Sequence, residues 1–344
     1  MLITNANIIT MDAVDYSNGY ILIESGKITD VGDMHSVPPH DDIFDAGGQY
    51  AVPGFIDAHC HLGLFRDGEG YDSEDANENS SPTMPHLRII EGANTRDRAI
   101  KEAHLAGVTT VAISPGSKSI IGGQIAIIST YNGDIINVCA AIKAALGDNP
   151  KQSTAPNTGA GVAAMLREGL RQLTADGQSP APCVHIHVHR ADDILTALRI
   201  ADELKIDIKL IHATEGYLIP DKLAGVPCLV GPLICDRSKP ELIGYDDKNP
   251  AVLERHGVKI AMVSDHPELP SRHLLLCAQL AEKNGMSKQG ALRAITVNAA
   301  EILGIDDTCG KIRSGHNADI LIFNEHPMEF KSKITKIFAH QANS

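Results

Sequence analysis

The sequence predicts an α/β fold: a (β/α)8 TIM-like barrel with one distorted stretch, plus a small β-sandwich built from both chain ends. Residues 51–310 alternate between short apolar runs and helical patterns, which is typical of a parallel sheet. Residues 1–50 and 311–337 show short β-type runs and no helical period. A chain of 344 residues is long enough for a barrel and a smaller unit. The predicted domains are therefore 51–310 for the barrel, and 1–50 with 311–344 for the sandwich.

The two chain ends carry matching β signals. Residues 20–23 and 28–31 are apolar runs separated by Glu24-Ser25-Gly26-Lys27, which predicts a hairpin. Residues 318–323 and 334–338 have the same character at the other end of the chain. Short β segments cannot bury a full face alone, so we expect the two ends to pair with each other.

The central region supplies the elements of the barrel. We expect strands at residues 53–61, 108–113, 125–130, 135–146, 184–189, 206–212, 227–230 and 258–264. We expect helices at residues 96–106, 162–173, 191–204, 272–283 and 288–303. Asn132-Gly133 predicts a hairpin turn inside residues 115–156. That stretch departs from regular βα units, and it is the expected distortion of the barrel.

Composition and charge narrow the class of protein. The net charge of −13 argues against a nucleic-acid-binding surface, which requires a basic patch. No apolar run reaches the ~18 residues of a membrane span, and residues 1–7 lack the features of a secretory signal. The 7 cysteines are odd in number and scattered, which indicates reduced thiols. We expect a cytoplasmic protein with a small-molecule substrate and no nucleic-acid or membrane partner. A homo-oligomer is compatible with this composition.

The first predicted barrel strand ends in a pair of histidines. Side chains alternate along a strand, so His59 and His61 should share one face with Asp57, while Cys60 points away. Two imidazoles on one side of a strand end can bind one metal ion. With 16 histidines in the chain, such a spacing also arises by chance. The position at the end of an apolar run that follows Pro53-Gly54 makes this pair informative.

Later predicted strands end in the same residue types. The strand ends carry His187 with His189, then His212, then Asp265. Active groups of a barrel lie at the carboxyl ends of its strands, so these side chains should meet at one rim. Imidazole and carboxylate without clustered thiolates suit Zn²⁺ or another divalent first-row ion. The sequence therefore predicts a centre for one or two ions, most simply Zn²⁺.

The run from Pro53 to His61, together with the order of the other strand-end residues and residues 310–320, resembles the amidohydrolase superfamily of metal-dependent hydrolases. The closest resemblance is to its imidazolonepropionase-like branch. The resemblance implies His187 and His212 as metal ligands after strands five and six. It implies Asp265 as both a ligand and the catalytic general acid and base. It also implies Lys143 as a lysine that is carbamylated by CO₂ and bridges two metals.

Two assignments stay open in the sequence. His187 and His189 share a face, and we favour His187 as the ligand. His185 should lie deeper in the barrel. Lys143 stands in an apolar run, where a buried lysine is costly unless paired, but a lysine that extends to solvent is the alternative. Lys151 is a competing candidate for the bridging lysine.

Candidate substrate-binding residues lie beside the predicted ligands or in nearby loops. They are His189, Arg190, Glu215, His86 and Arg88. An arginine could bind a substrate carboxylate through two hydrogen bonds. For each of them, a solvated loop position is the alternative.

The predicted function is hydrolysis of an amide or cyclic amide C–N bond by a metal-activated water. Such an enzyme acts on C–N bonds other than peptide bonds, and the same chemistry extends to dipeptides. A deaminase of the same superfamily and a non-catalytic scaffold protein are the alternatives. The resemblance implies that a deaminase carries a glutamate shortly after the fifth-strand histidine. This chain instead continues with Val188, His189 and Arg190.

Overall fold

The computed structural model describes residues 1–68, 74–152, 156–175 and 183–339. The strands before the barrel are β1 (Leu2–Ile8), β2 (Tyr16–Glu24), β3 (Lys27–Asp33), β4 (Ile43–Asp45) and β5 (Tyr50–Pro53). Those of the barrel are β6 (Phe55–Cys60), β7 (Val108–Ile113), β8 (Ile121–Ser129), β9 (Ile135–Ala145), β10 (Val184–Val188), β11 (Ile208–His212), β12 (Cys228–Val230) and β13 (Ile260–Met262). The last two are β14 (Ile320–Phe323) and β15 (Ile334–Phe338).

Seven α-helices lie within the described residues. They are α1 (Arg98–Leu105), α2 (Gly159–Ala175), α3 (Ala191–Leu204), α4 (Asn249–Arg255), α5 (Leu274–Lys283), α6 (Lys288–Ala294) and α7 (Val297–Leu303). The predicted helix over 288–303 is two helices, because the backbone at Thr296 leaves helical geometry with φ −134° and ψ −104°. None of the helices in the described ranges has the length and apolar character needed to cross a bilayer.

The two chain ends share one sheet. Its strand order is β15-β14-β5-β1-β2-β3, and β4 also pairs with β1. One edge of β1 pairs with β4 near Leu2 and with β5 near Ile8, so hydrogen bonds link all seven strands into a single sheet. The predicted pairing of the two ends is therefore present. The predicted boundary after residue 50 falls inside β5, which pairs with β14.

The second sheet is a nearly closed barrel of eight strands in the order β6 to β13. Its two end strands meet at the rim. The Asp265 N–H donates to the His59 carbonyl at 3.2 Å, and the His61 N–H donates to the His266 carbonyl at 2.9 Å. These two hydrogen bonds join the end of β6 to the segment that follows β13. They therefore close the barrel beside the predicted site.

The third barrel strand runs opposite to the others. β8 is antiparallel to both β7 and β9, whereas the remaining neighbouring pairs are parallel. Residues 114–120 and 130–134 join these strands without a helix, and a short connection can only reverse the chain. The hairpin predicted at Asn132-Gly133 is confirmed. The predicted (β/α)8 barrel is thus a mixed barrel, and its expected distortion contains the reversed strand β8.

The barrel interior is apolar at the end away from the predicted site. Seven strands contribute small or aliphatic side chains to one buried cluster, which also contains Ala299 and Ile302 of α7. Alternate residues such as Val184 and Ile186 instead join the core beneath the outer helices. This packing leaves the polar side chains at the carboxyl ends of the strands.

Candidate metal centre

One carboxylate and three imidazoles meet where the barrel closes. Asp265 Oδ1 lies 3.2 Å from His59 Nε2 and 3.3 Å from His61 Nε2. Asp265 Oδ2 lies 3.8 Å from His212 Nε2. The backbone of Asp265 lies in the left-handed region, with φ +54°. Burial opposes ionisation of its carboxyl, but His212 and His59 hold the pKa of Asp265 well below its usual range.

A bulge separates Asp57 from the two histidines. The β6–β7 register shifts between Asp57 and Cys60, while Ile56 and Ala58 belong to the interior cluster. The expectation that Asp57 shares the face of His59 is therefore wrong, because the bulge interrupts simple alternation.

Asp57 instead connects the first barrel strand to the segment after the last one. Its carboxylate accepts hydrogen bonds from Ser264 Oγ at 2.5 Å and from the Ser264 N–H at 3.2 Å. The Ser264 and Ser271 hydroxyl oxygens are 2.8 Å apart. Burial raises the pKa of Asp57 to about 6. Because Ser264 precedes Asp265, this contact holds the two halves of the site together.

A second cluster contains His187, His189 and His212. Their ligand atoms lie within 4.8 Å of one another, and the rings of His189 and His212 are stacked at 4.6 Å. β10 pairs with β11 so that Val188 lies opposite His212, which aligns the strand ends. The structure thus brings both His187 and His189 to the site. His185 lies deeper, and burial lowers its pKa to about 3.

Hydrogen bonds orient several of these rings. Nδ1 of His61 lies 2.7 Å from the Ser114 carbonyl oxygen, and Nδ1 of His212 lies 2.7 Å from the Gly231 carbonyl oxygen. A carbonyl only accepts, so each Nδ1 carries the proton and each Nε2 presents a lone pair. Burial lowers the pKa of His212, and it lowers that of His187 well below the usual range. The imidazoles of His187 and His212 are therefore neutral near pH 7, as metal ligands must be.

Lys143 lies inside the barrel with 1 % of its surface exposed. Its Nζ donates to the Pro115 carbonyl at 3.3 Å, and burial lowers its pKa to about 8. This position is incompatible with a lysine that extends to solvent. Lys151 is about one-third exposed and pairs with Asp148 at 2.8 Å, outside the barrel. The structure brings Lys143, and not Lys151, to the interior beneath the histidines.

Glu241 is a buried carboxylate that the sequence did not reveal. Its Oε1 lies 3.9 Å from His187 Nε2 and 3.7 Å from His189 Nε2, and its Oε2 accepts from the Asp148 N–H at 3.0 Å. Burial raises its pKa. It stands in a short 3₁₀ turn, Pro240–Leu242, within a polar loop, where no periodic pattern marks a functional residue.

The residues fit a divalent cation. Both ring nitrogens of His59 and Oε1 of Glu241 are buried without a hydrogen bond of normal geometry among the described residues, although His59 Nε2 lies 3.2 Å from Asp265 Oδ1. Buried polar atoms without partners are costly, and a cation would satisfy them. Two overlapping sets of potential ligands share His212: one with His187 and His189, the other with His59 and Asp265. Their nitrogen and oxygen donors suit Zn²⁺ and its divalent neighbours.

The centre opens into a cleft of about 1090 Å³. His189 and Thr214 line this cleft, and much of one wall comes from the loop of residues 231–247 that follows β12. A cleft of this size accommodates a small molecule.

The other predicted substrate-binding residues lie away from the cleft lining. Arg190 is half exposed and pairs with Asp192 at 3.0 Å at the start of α3. Glu215 accepts a hydrogen bond from the Ala191 N–H at 2.8 Å, and His86 and Arg88 are exposed. The turn after β10 directs Arg190 outward, so adjacency to His189 in the sequence does not place it at the site.

Comparisons with known proteins agree with this arrangement. The amidohydrolase family model matches residues 181–342. An amidohydrolase structure from Thermotoga maritima MSB8 is 33 % identical, with a TM-score of 0.92 and 98 % of each chain covered. The amidohydrolase TasK from Hapsidospora irregularis is 25 % identical over 90 % of this chain, which spans only 38 % of that relative. An imidazolonepropionase from Fusobacterium nucleatum is 24 % identical over 91 % of this chain and 87 % of its own length.

Proposed function

Because this chain belongs to the amidohydrolase family, we propose that it is a metal-dependent hydrolase that cleaves an amide or cyclic amide C–N bond. The observation that carries the proposal is the convergence of Asp265 with five buried imidazoles where the cleft meets the barrel. Similarity to an imidazolonepropionase supports a cyclic amide as one substrate class.

We assign His59, His61, His187, His212 and Asp265 as ligands for one or two divalent ions, with Zn²⁺ the best match to the donors. His189 is the alternative to His187. When bound, a divalent cation supplies Lewis acidity at this rim and makes hydroxide available near neutral pH. His61 and His212 are held by backbone carbonyls, so their Nε2 atoms would be free to bind the ion.

Asp265 is assigned to the proton transfers. Its carboxylate is largely buried, lines the cleft and contacts the imidazoles. As a base it accepts a proton from the attacking water, and as an acid it donates that proton to the leaving nitrogen. With a cation held beside it, the carboxylate would stay ionised and able to accept the proton when the cycle begins.

Lys143 is assigned as the bridging ligand after carbamylation. Its neutral amine attacks CO₂, an N–C bond forms, and one N–H proton passes to solvent, which leaves a carbamate. Burial and a pKa of about 8 increase the share of neutral amine near pH 7.

The Lys143→Ala variant should bind less metal because it lacks this carbamate. We expect the metal content of the reconstituted protein to fall by about half, and a short carboxylate supplied with bicarbonate to restore part of it. Elemental analysis measures the stoichiometry. Lys151→Ala is the matched control, since Lys151 lies outside the barrel. Equal metal content in Lys143→Ala and the unmodified protein would rule out the bridging role.

The hydrolase itself is tested by metal reconstitution followed by a substrate panel. The panel contains hydantoins and other cyclic imides, N-acyl amino acids and dipeptides, each incubated with metal-loaded and chelator-treated protein. We expect metal-dependent ring opening or amide cleavage, detected by mass spectrometry. Protein that binds metal yet cleaves no C–N bond in the panel would contradict the proposed function and favour the non-catalytic scaffold.

A deaminase is the second candidate, and one contact favours it. Sequence order alone argued against deamination, because no glutamate closely follows His187. The fold nevertheless places Glu241 Oε1 within 3.9 Å of His187 and 3.7 Å of His189. Ammonia release from amino-substituted heterocycles, measured with a coupled enzyme assay, distinguishes deamination from ring opening.

A further inference from the structure

Lys239 lines the cleft beside the histidine cluster. It is half-buried and directly precedes the 3₁₀ turn of Pro240–Leu242. The turn is held in place, because the Leu242 N–H donates to the Lys239 carbonyl at 3.0 Å and Glu241 is bound by the Asp148 N–H. The backbone beneath the lysine is therefore fixed.

The other two basic side chains of the cleft lining are engaged. Lys118 pairs with Glu74 at 3.3 Å, and Arg237 donates to the Tyr245 carbonyl at 2.9 Å. For the Lys239 ammonium, no hydrogen bond or ion pair is found with any residue in the described ranges.

None of the carboxylates of the cleft lining forms an ion pair with Lys239 within the described residues. The charge of Lys239 acts on the buried Glu241, two residues further along, also without an ion pair. Asp236 accepts from the Ser238 N–H at 3.0 Å, Asp246 from the Lys248 N–H at 2.8 Å, and Asp247 from the Tyr245 hydroxyl at 2.6 Å. Glu268 is exposed to solvent. A half-buried cation that lines the same cleft as the histidine cluster is thus left available for a ligand.

We propose that Lys239 binds a carboxylate of the substrate, so that the preferred substrates are amides that carry a carboxylate close to the scissile bond, such as N-acyl amino acids. This inference rests on the proposed function and names its substrate class. A single ammonium matches a single negative charge. A phosphate dianion would require further donors, and the remaining wall is rich in acidic residues.

The test compares N-acetyl amino acids with their C-terminal carboxamides, which differ only in the charge. We expect kcat/KM for the acid to exceed that for the carboxamide by at least about tenfold. Lys239→Gln should lower kcat/KM for the acid about 10- to 100-fold, mainly through KM, and leave the carboxamide within about threefold. Lys239→Arg should retain most of the preference. Lys118→Gln is the matched control, because Glu74 already engages that lysine.

Binding to the Asp265→Asn protein supplies a readout that needs no turnover. Calorimetry should show the acid binding at least about tenfold more tightly than the carboxamide, and Lys239→Gln in this background should abolish the difference. Equal affinities for acid and carboxamide, or binding of neither, would overturn the role of Lys239. Cleavage of acid and carboxamide at equal rates would overturn it as well, but would leave the proposed hydrolase standing.

Discussion

The Asp265→Asn protein is expected to keep its fold and most of its metal while kcat falls by about 10²–10⁴, the usual magnitude of general acid–base catalysis. The amide is nearly the same size as the carboxylate and keeps an oxygen that faces His59 and His61. It cannot accept the proton of the attacking water or return it to the leaving nitrogen. The loss should therefore appear in kcat at unchanged metal stoichiometry.

Three measurements on one sample separate this role from a structural one. Turnover, metal content and melting temperature are determined together. If Asp265 only terminated a turn, the substitution would cost about 1 kcal/mol of stability and leave kcat intact. Asp246→Asn is the matched control, because Asp246 also lines the cleft but is bound by the Lys248 N–H. Full activity of metal-loaded Asp265→Asn protein would remove Asp265 from the mechanism.

A double variant in which both His59 and His61 are replaced by Asn should bind Zn²⁺ at least about 100-fold more weakly. This loss exceeds that caused by removal of an outer-sphere partner. These two rings supply the ligands of the first barrel strand, and neither ring nitrogen of His59 has a hydrogen bond of normal geometry in the described part of the chain. Competition with a coloured chelator gives the affinity, and activity should fall with metal occupancy.

The His256→Asn variant serves as the control. His256 is exposed, and its imidazole lies outside both clusters. Circular dichroism of the metal-free unmodified protein provides the reference for folding of the double variant. Unchanged Zn²⁺ affinity in that variant would exclude the pair as ligands. Less than about 0.2 metal per chain in the unmodified protein after refolding with zinc would contradict the metal centre as a whole.

The convergence of the residues at the strand ends was the most predictable part of this molecule. His59, His187, His212 and Asp265 each follow an apolar run, and the carboxyl ends of parallel strands share a rim, so their convergence follows from local patterns. The division of the chain into two domains at residue 50 stays a prediction. β5 spans this position and pairs with strands of both chain ends.

Features set by tertiary context were less predictable. The turn at Asn132-Gly133 predicted the hairpin of β8 and β9, but the antiparallel pairing of β8 with β7 depends on the connection over residues 114–120, which carries no such turn signal. The bulge in β6 leaves no mark in the sequence, yet it separates Asp57 from His59. Glu241 comes from an irregular loop far from its partners in the chain. Its burial is visible only when the loop is folded over the barrel.

Closure of the barrel has a consequence for the order of assembly. The contact between Asp57 and Ser264 joins residues separated by 207 positions, and the same seam brings His59 to Asp265. During synthesis the first histidine pair emerges long before its carboxylate partner, and long-range contacts of this kind form late. We expect that a nascent chain that ends before β13 cannot form the complete centre. Tight cation capture would then mark the final stage of folding rather than nucleate it.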